Sequence, residues 1–316
     1  MLSFVLYIKT ILTKTPKNVK WAFLLKSHPN KRLEQGWKIK MWLDQLPQFL
    51  KQIEAEFNIK IKQPFKNPVF NYAAEAIQAD GTECVFKCAI PNDEFLSELN
   101  ALKYFNGKSA VKLIASDSKS GWMLLEKCTP GFSIEKLDEN KAAEIFATLI
   151  KSLLKPIDQN NHDFKHIQDW LNKLDLALKL EFNIPKKLIQ NAIAIKNELL
   201  SSLGESVLLH GDLHHHNILS NKNNYLAIDP KGIIGEREYE IGAFMRNPYA
   251  LIKSDINLKK LFNRRLSIIT EHTHFDRDRL IKWTFVQAVL AAIWHSEDKT
   301  EGADWTIEVA ENVYNL

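Results

Sequence analysis

The chain has 316 residues, 45% of them hydrophobic and 25% charged, an ordinary globular composition with enough length for about two domains. No apolar run approaches the ~20 residues a membrane-spanning helix needs, and the greasy start up to Thr13 is broken by Lys9 and followed by no small-residue cleavage site. The net charge of +4 hides an asymmetry: residues 1–40 carry nine Lys/Arg against the single acid Glu34, so the rest of the chain is net acidic, unlike a nucleic-acid-binding domain. Cys84, Cys88 and Cys128 form no CxxC pair and read as free thiols of a reducing compartment. A cytoplasmic protein without membrane or nucleic-acid partners, monomeric or weakly dimeric, is therefore expected.

In chain order, a solvated basic leader covers 1–40. Pro47 then opens an amphipathic helix with Phe49, Leu50, Ile53 and Phe57 on one face. Two β-like runs, 69–76 and 83–90, flank Asp80-Gly81, a strong hairpin turn signal. Asn92 caps a helix with Phe95, Leu99, Leu102 and Phe105 at helical spacing, and Gly107 ends it. A second strand pair, 111–115 and 122–126, is joined by the polar turn 116–121. Beyond Thr129-Pro130-Gly131 the pattern becomes helical at 139–155, 166–181, 186–203, 277–296 and 303–315, with short β-like pieces around 206–229. The expected organisation is an α+β N-lobe over 41–127 and a helical C-lobe over 128–316, with a hinge at 126–131.

The chemistry sits in Leu-Leu-His-Gly-Asp-Leu-His-His-His-Asn-Ile-Leu at 208–219, followed by Tyr-Leu-Ala-Ile-Asp-Pro at 225–230. Transfer of phosphate from ATP to a hydroxyl needs a carboxylate for the hydroxyl proton, hard oxygens for Mg²⁺ and a rigid loop. Asp212, Asn217 five positions on, and Asp229 at the end of an apolar strand supply that set in the order of a kinase catalytic loop. Asp212 would be the base; Asn217 and Asp229 would be the metal ligands. Singly, Asp212 and Asn217 read as turn residues and Asp229 as a strand cap; the ordered combination points to a kinase. Lys87, mid-strand among Val85, Phe86 and Ile90, can reach the α- and β-phosphates if a carboxylate fixes it, and Glu98 on the next helix is the natural partner. The bland alternative is an edge-strand lysine and a surface glutamate.

The run His-Gly-Asp-Leu-His-x-x-Asn-Ile-Leu resembles the loop of the aminoglycoside phosphotransferase superfamily. Ile-Asp-Pro-Lys-Gly at 228–232, Gly235 and Arg246-Asn-Pro are similar to the aminoglycoside 6-phosphotransferase and hydroxyurea-resistance kinase branch, which includes the streptomycin 6-kinases. Trp42-Leu-Asp-x-Leu-Pro, Phe70-Asn-Tyr, Trp122-x-Leu-Leu-Glu126 and Trp283 to Trp294 support it, so the likeness spans about 42–294. It implies a protein-kinase-like two-lobed fold with the Lys87–Glu98 pair, ATP and Mg²⁺ as cofactors, and adenine contacts from the Glu126–Cys128 backbone. One departure stands out: the strand at 69–76 has no glycine, so no Gly-rich cradle covers the phosphates; Phe70-Asn71-Tyr72 would shape that loop instead.

The implied acceptor is a hydroxylated, cationic small molecule of the streptomycin type, whose pocket would carry carboxylates and aromatics. Candidates are Glu236, Glu238 and Glu240 after the Asp-Pro-Lys-Gly segment, and Trp294, Glu297, Asp298, Glu301 and Asp304 near the C-terminus; a solvated acidic face explains each equally well. Lys231 is either a neutraliser of transferred phosphate or an exposed lysine. Rival readings are a kinase of another hydroxylated metabolite such as a sugar or amino alcohol, a non-catalytic nucleotide-binding module, and a zinc hydrolase using His210, His214, His215 and His216. Adjacent histidines in an extended segment point to opposite faces, which weighs against zinc.

Overall fold

The computed structural model describes residues 29–65, 71–158, 160–161, 163–254, 257–300 and 302–316, with side chains from Lys40 onward. Most of the basic leader, and Val69, Phe70 and Glu301, lie outside the described residues. The chain divides into two compact units: the part up to Leu96 with Lys112–Lys127, and Ser97–Val111 with Cys128–Leu316. No described helix is long and apolar enough to cross a membrane.

The smaller unit is an antiparallel five-stranded sheet in the order β1-β2-β3-β5-β4. Its strands are β1 (Ile59–Pro64), β2 (Tyr72–Gln78), β3 (Glu83–Cys88), β4 (Leu113–Asp117) and β5 (Trp122–Glu126). At the β2–β3 turn, Gly81 N donates to Gln78 O and Thr82 N to Asp80 Oδ1, both at 2.9 Å. Alternation along the strands puts Ala76, Cys84, Phe86, Cys88, Trp122 and Leu124 on one face. Helix α1 (Pro29–Phe57) covers that face with Trp42, Leu46, Phe49, Leu50 and Ile53.

Two expectations are corrected here. Pro47 does not open this helix but lies inside it, exposed, with the packed residues running continuously from Trp42 to Ile53. Burial of that apolar stripe outweighs the hydrogen bond Pro47 cannot donate. Strand β1, absent from the sequence reading, is an edge strand with Ile59 buried and its lysines outward; Pro64 is tolerated at its end. The other strands begin or end a few residues from their predicted limits.

The larger unit carries most of the helices. Helix α2 (Asp93–Phe105) begins in the smaller unit and continues into this one after Leu96. After β6 (Pro130–Ser133) come α3 (Glu139–Leu153), β7 (Lys155–Pro156), β8 (Lys165–His166), α4 (Ile167–Ala177) and α5 (Lys186–Ser201). Next are β9 (Ser206–Leu209), β10 (Ile218–Asn221), β11 (Asn224–Ala227), β12 (Ile233–Glu236), α6 (Ile241–Met245) and α7 (Tyr249–Ile252). The chain ends in α8 (Leu258–Thr273), α9 (Arg277–Asp298) and α10 (Ala303–Tyr314). The small strands form two sheets, β11-β10-β6 and β7-β9-β12-β8. Helix α9 is buried on nearly all sides from Trp283 to Ile293, as suits a central core helix.

Helix α8 is missing from the elements expected above, although Leu258, Phe262, Leu266 and Ile269 recur at helical spacing. Among its inward positions Leu258, Phe262, Leu266 and Ile269 stands Arg265, only 1% exposed. Its Nε donates to Glu139 Oε1 at 2.6 Å, and its Nη1 donates to the carbonyls of Phe244, Met245 and Asn247 at 2.8, 3.0 and 2.8 Å. The guanidinium thus satisfies the orphan carbonyls at the end of α6, which a buried helix terminus requires. Replacing it by leucine leaves those carbonyls and Glu139 without a donor. Arg265→Leu is expected to lower stability by about 3–5 kcal/mol in urea unfolding, with Arg265→Lys intermediate because one ammonium cannot span the same carbonyls.

Candidate active site

The sequence at 208–219 folds as strand, loop and single 3₁₀ turn. Strand β9 runs antiparallel to β12, pairing Leu209 with Ile233, and delivers His210 into a buried position. Gly211 follows at φ +82°; a Cβ there would lie 3.0 Å from Ile233 and 3.2 Å from Trp170, so backbone conformation and space both demand glycine. Glu240, 2% exposed, holds the loop from beneath: His210 N donates to its Oε2 at 2.7 Å and Gly211 N to its Oε1 at 3.1 Å. Burial pushes the Glu240 carboxyl up to about 8 against the pull of N–H donors from Gly211, His210 and Leu213.

His210 is the second tie. Asp212 N donates to its Nδ1 at 3.2 Å, which leaves the proton on Nε2 to donate to Ile228 O at 2.8 Å. Burial holds this imidazole neutral, with its pKa down to about 4. Asn217 closes the ring: its Nδ2 donates to Asp212 O at 2.9 Å, and its backbone carbonyl accepts from Ile228 N at 3.0 Å. Asp212, Asn217 and the residue preceding Asp229 are therefore bound to one another. The Asp212 and Asp229 carboxylates both raise the proton affinity of His210 and His214, so the two acids share one neighbourhood. Asp229 is exposed and holds φ +58°, an uncommon state for a non-glycine residue. Gly232, at φ +64°, packs so closely on α2 that a Cβ would sit 2.9 Å from Ala101 Cβ, and Ser97 Oγ donates to its carbonyl at 2.8 Å.

Because the Asn217 amide nitrogen is committed to Asp212 O, its oxygen is left as a hard donor, and its backbone carbonyl holds Ile228, the residue before Asp229. An amide oxygen and a carboxylate make a donor set that fits Mg²⁺. Zinc would need more, and among the described residues no three His, Cys, Asp or Glu side chains group closely enough to hold a metal ion. The histidines have other contacts. His215 is buried flat against Phe244 (centroids 4.3 Å apart), His214 Nδ1 accepts from His216 N at 3.2 Å, and His216 is an exposed neighbour of Glu135.

Asp212, one-third exposed, opens on a cavity of about 280 Å³. His214, Arg246 and Asn247 line it on Asp212's side; Trp294, His295 and Asp298 of α9 and Trp305 of α10 complete it. Of the residues expected at the acceptor, Trp294 lines this cavity, set edge-on to Trp170 at 5.7 Å, and so does Asp298. Glu236 and Glu240 do not. Glu236, 2% exposed, pairs with Arg279 (2.7 Å) and accepts from Gly204 N and the Trp283 indole, so it joins β12 to α9. Glu240 holds the 210–211 backbone, Glu238 is buried beside Arg237, and Asp304 is exposed off the cavity. Glu297 pairs with Lys173 at 2.9 Å, one residue and about 100° of helix rotation from Asp298. Alternating acids after a strand suggested one exposed face, whereas a buried 3₁₀ turn distributes them among internal donors.

On the nucleotide side each residue is described within its own unit. Lys87 lies in the middle of central strand β3, paired with Ala73 and Met123 and only 5% exposed, so it is no edge-strand lysine. Glu98, on α2, is 6% exposed and no surface acid. Glu126 closes β5, its Oε2 accepting from Lys112 N at 3.2 Å, and Cys128 is buried at the start of the next segment. Sequence reasoning gave no role to Arg246, Asn247, His295 or Trp305; the Arg-Asn-Pro triplet and the tryptophans at matching ends of α9 and α10 were the available signals.

The chain is 25% identical to streptomycin 6-kinase of Streptomyces griseus, over 91% of this chain and 94% of that one. It is 24% identical to hydroxyurea phosphotransferase of Kitasatospora aureofaciens, over 81% of this chain and 75% of the relative. Among solved structures, a thermostable aminoglycoside phosphotransferase mutant bound to ADP and hygromycin B superposes with TM-score 0.57 at 12% identity, covering 84% of this chain and 97% of that one. That likeness identifies the protein-kinase-like fold. The model of the family described as aminoglycoside/hydroxyurea antibiotic resistance kinase matches residues 69–299, and the chain belongs to that family.

Proposed function

We propose that this chain is an ATP-dependent O-phosphotransferase that moves the γ-phosphoryl group to a hydroxyl of a small molecule, most simply an aminoglycoside of the streptomycin type. The observation that carries it is the Asp212 carboxylate opening on a cavity while its backbone is tied to Asn217 and to Ile228 beside Asp229. Asp212 accepts the hydroxyl proton and aims the oxygen; the new O–P bond forms as the β–γ bridging bond breaks and ADP leaves. Mg²⁺, held by Asn217 and Asp229, would screen the triphosphate charge. Lys87 and Glu98 keep the nucleotide-side roles that the motif resemblance implies.

The cavity volume bears on the acceptor. At about 280 Å³ it lies at the lower edge of the roughly 300–1,000 Å³ usual for drug-sized ligands. One ring of an aminoglycoside, or a compound as small as hydroxyurea, fits that space. Trp294 and Trp305 supply faces for a cationic group, with Asp298 as counter-charge.

Two tests address this reading. Asp212→Ala is expected to abolish phosphate transfer to streptomycin and hydroxyurea, a loss of at least about 10³-fold in kcat, while ATP affinity from calorimetry stays within a few-fold; undiminished turnover would reject Asp212 as the base. The second concerns the neutral His210 tie. Its folded pKa, about 4, is below the ~6.5 of a free imidazole, so the folded state binds fewer protons. The stability it contributes is complete above about pH 6.5 and falls as pH drops toward about 4, by about 3 kcal/mol in all. Urea unfolding of the wild type and His210→Gln at several pH values should show the acid-side slope reduced in the variant; equal slopes would disprove the tie.

A further inference from the structure

Arg246 is a largely buried cation that the mechanism above leaves without a task. Its side chain is 12% exposed and lines the cavity beside Asp212. Its Nη2 is 3.9 Å from Asp212 Oδ1, and its Nη1 is 3.5 Å from Gln287 Oε1. Neither is a strong bond for a group with five N–H donors. An arginine free to move would close on the carboxylate in a bidentate pair at hydrogen-bond distance. This one is held back by its backbone: Arg265 binds the carbonyls of Met245 and Asn247 on either side of it, and Asn247 Nδ2 donates to Ala243 O at 2.9 Å. The guanidinium therefore stands next to the base, short of pairing with it, with donor capacity directed at the same space.

We infer that Arg246 is an acceptor-binding residue that donates to a second acceptor oxygen adjoining the hydroxyl received by Asp212. A carboxylate and a guanidinium side by side complement two neighbouring oxygens, one giving a proton and the other accepting hydrogen bonds. The substrate class is then a compound with paired oxygens: a vicinal diol, or a hydroxyl next to a carbonyl. A lone hydroxyl followed by an ammonium group, as in ethanolamine, would set its charge against Arg246 and leave the guanidinium unsatisfied, an arrangement that binding sites reject strongly. The inference rests on the phosphotransferase reading and narrows its acceptor.

The test uses the purified full chain with ATP and Mg²⁺ on three acceptors: streptomycin, with hydroxyls on adjacent ring carbons; hydroxyurea, with hydroxyl and carbonyl; and ethanolamine, with a lone hydroxyl. The wild type is expected to phosphorylate at least one of the first two and to prefer it to ethanolamine by kcat/KM. Arg246→Met should raise the KM for that acceptor about 10- to 100-fold, the worth of one charge-assisted hydrogen bond, with the KM for ATP and the melting temperature little changed. Arg246→Lys should recover part of the loss. An acceptor KM unmoved in folded Arg246→Met, or ethanolamine used as well as the paired-oxygen acceptors, overturns this inference alone. A wild type that transfers phosphate to none of the three overturns the parent reading and the inference with it.

Discussion

The site depends on how a loop of exposed chemistry is held by buried polar groups. Between β9 and β10 the chain leaves its ladder, and the N–H groups of His210 and Gly211 would be orphaned inside the larger unit without the Glu240 carboxylate. Above that anchor the His210 imidazole joins Asp212 N to Ile228 O, and Asn217 joins both segments again. Three backbone-directed side chains thus set the place of Asp212 and of the strand end carrying Asp229. Phosphoryl transfer asks a protein mainly for position and charge, so rigidity here is a functional property.

The same logic extends outward from Glu240. The 3₁₀ turn that carries it continues into α6, whose terminal carbonyls are taken by Arg265, and that clamp in turn sets the backbone of Arg246 and Asn247 at the cavity. On the other side Glu236 binds Arg279 and Trp283, tying β12 to the central helix that presents Trp294 and Asp298. Both walls of the cavity are therefore referred to one short segment, residues 236–246. Each link is a buried polar group with internal hydrogen-bond partners, and removing one member leaves the others unsatisfied.

Moving the glutamates inward alters the electrostatics expected at the acceptor. A row of carboxylates would suit a polycation; the cavity instead shows Asp212 and Asp298 against Arg246, between two indoles. That mixture suits an acceptor that brings oxygens to the Asp212 and Arg246 side and a cationic group to the Asp298 side.

The sequence alone determined a good deal. An antiparallel hairpin unit followed by a helical unit was legible because strand alternation, the Asp80-Gly81 turn and helical spacing are local signals. Asp212, Asn217 and Asp229 stand out in the sequence because their residue types fall in the order of a kinase loop within a short stretch of chain. Only the tertiary structure decided that Glu236, Glu238 and Glu240 turn to internal partners rather than to the cavity, since side chains two residues apart share a face in a strand but not in a helical turn. The start of α1 was hidden because its packing overrides Pro47, and the burial of Arg265 in α8 because its partners lie as far off in sequence as Glu139. The cavity itself joins residues from 212 to 305, and no local pattern records a contact that exists only once those segments have packed.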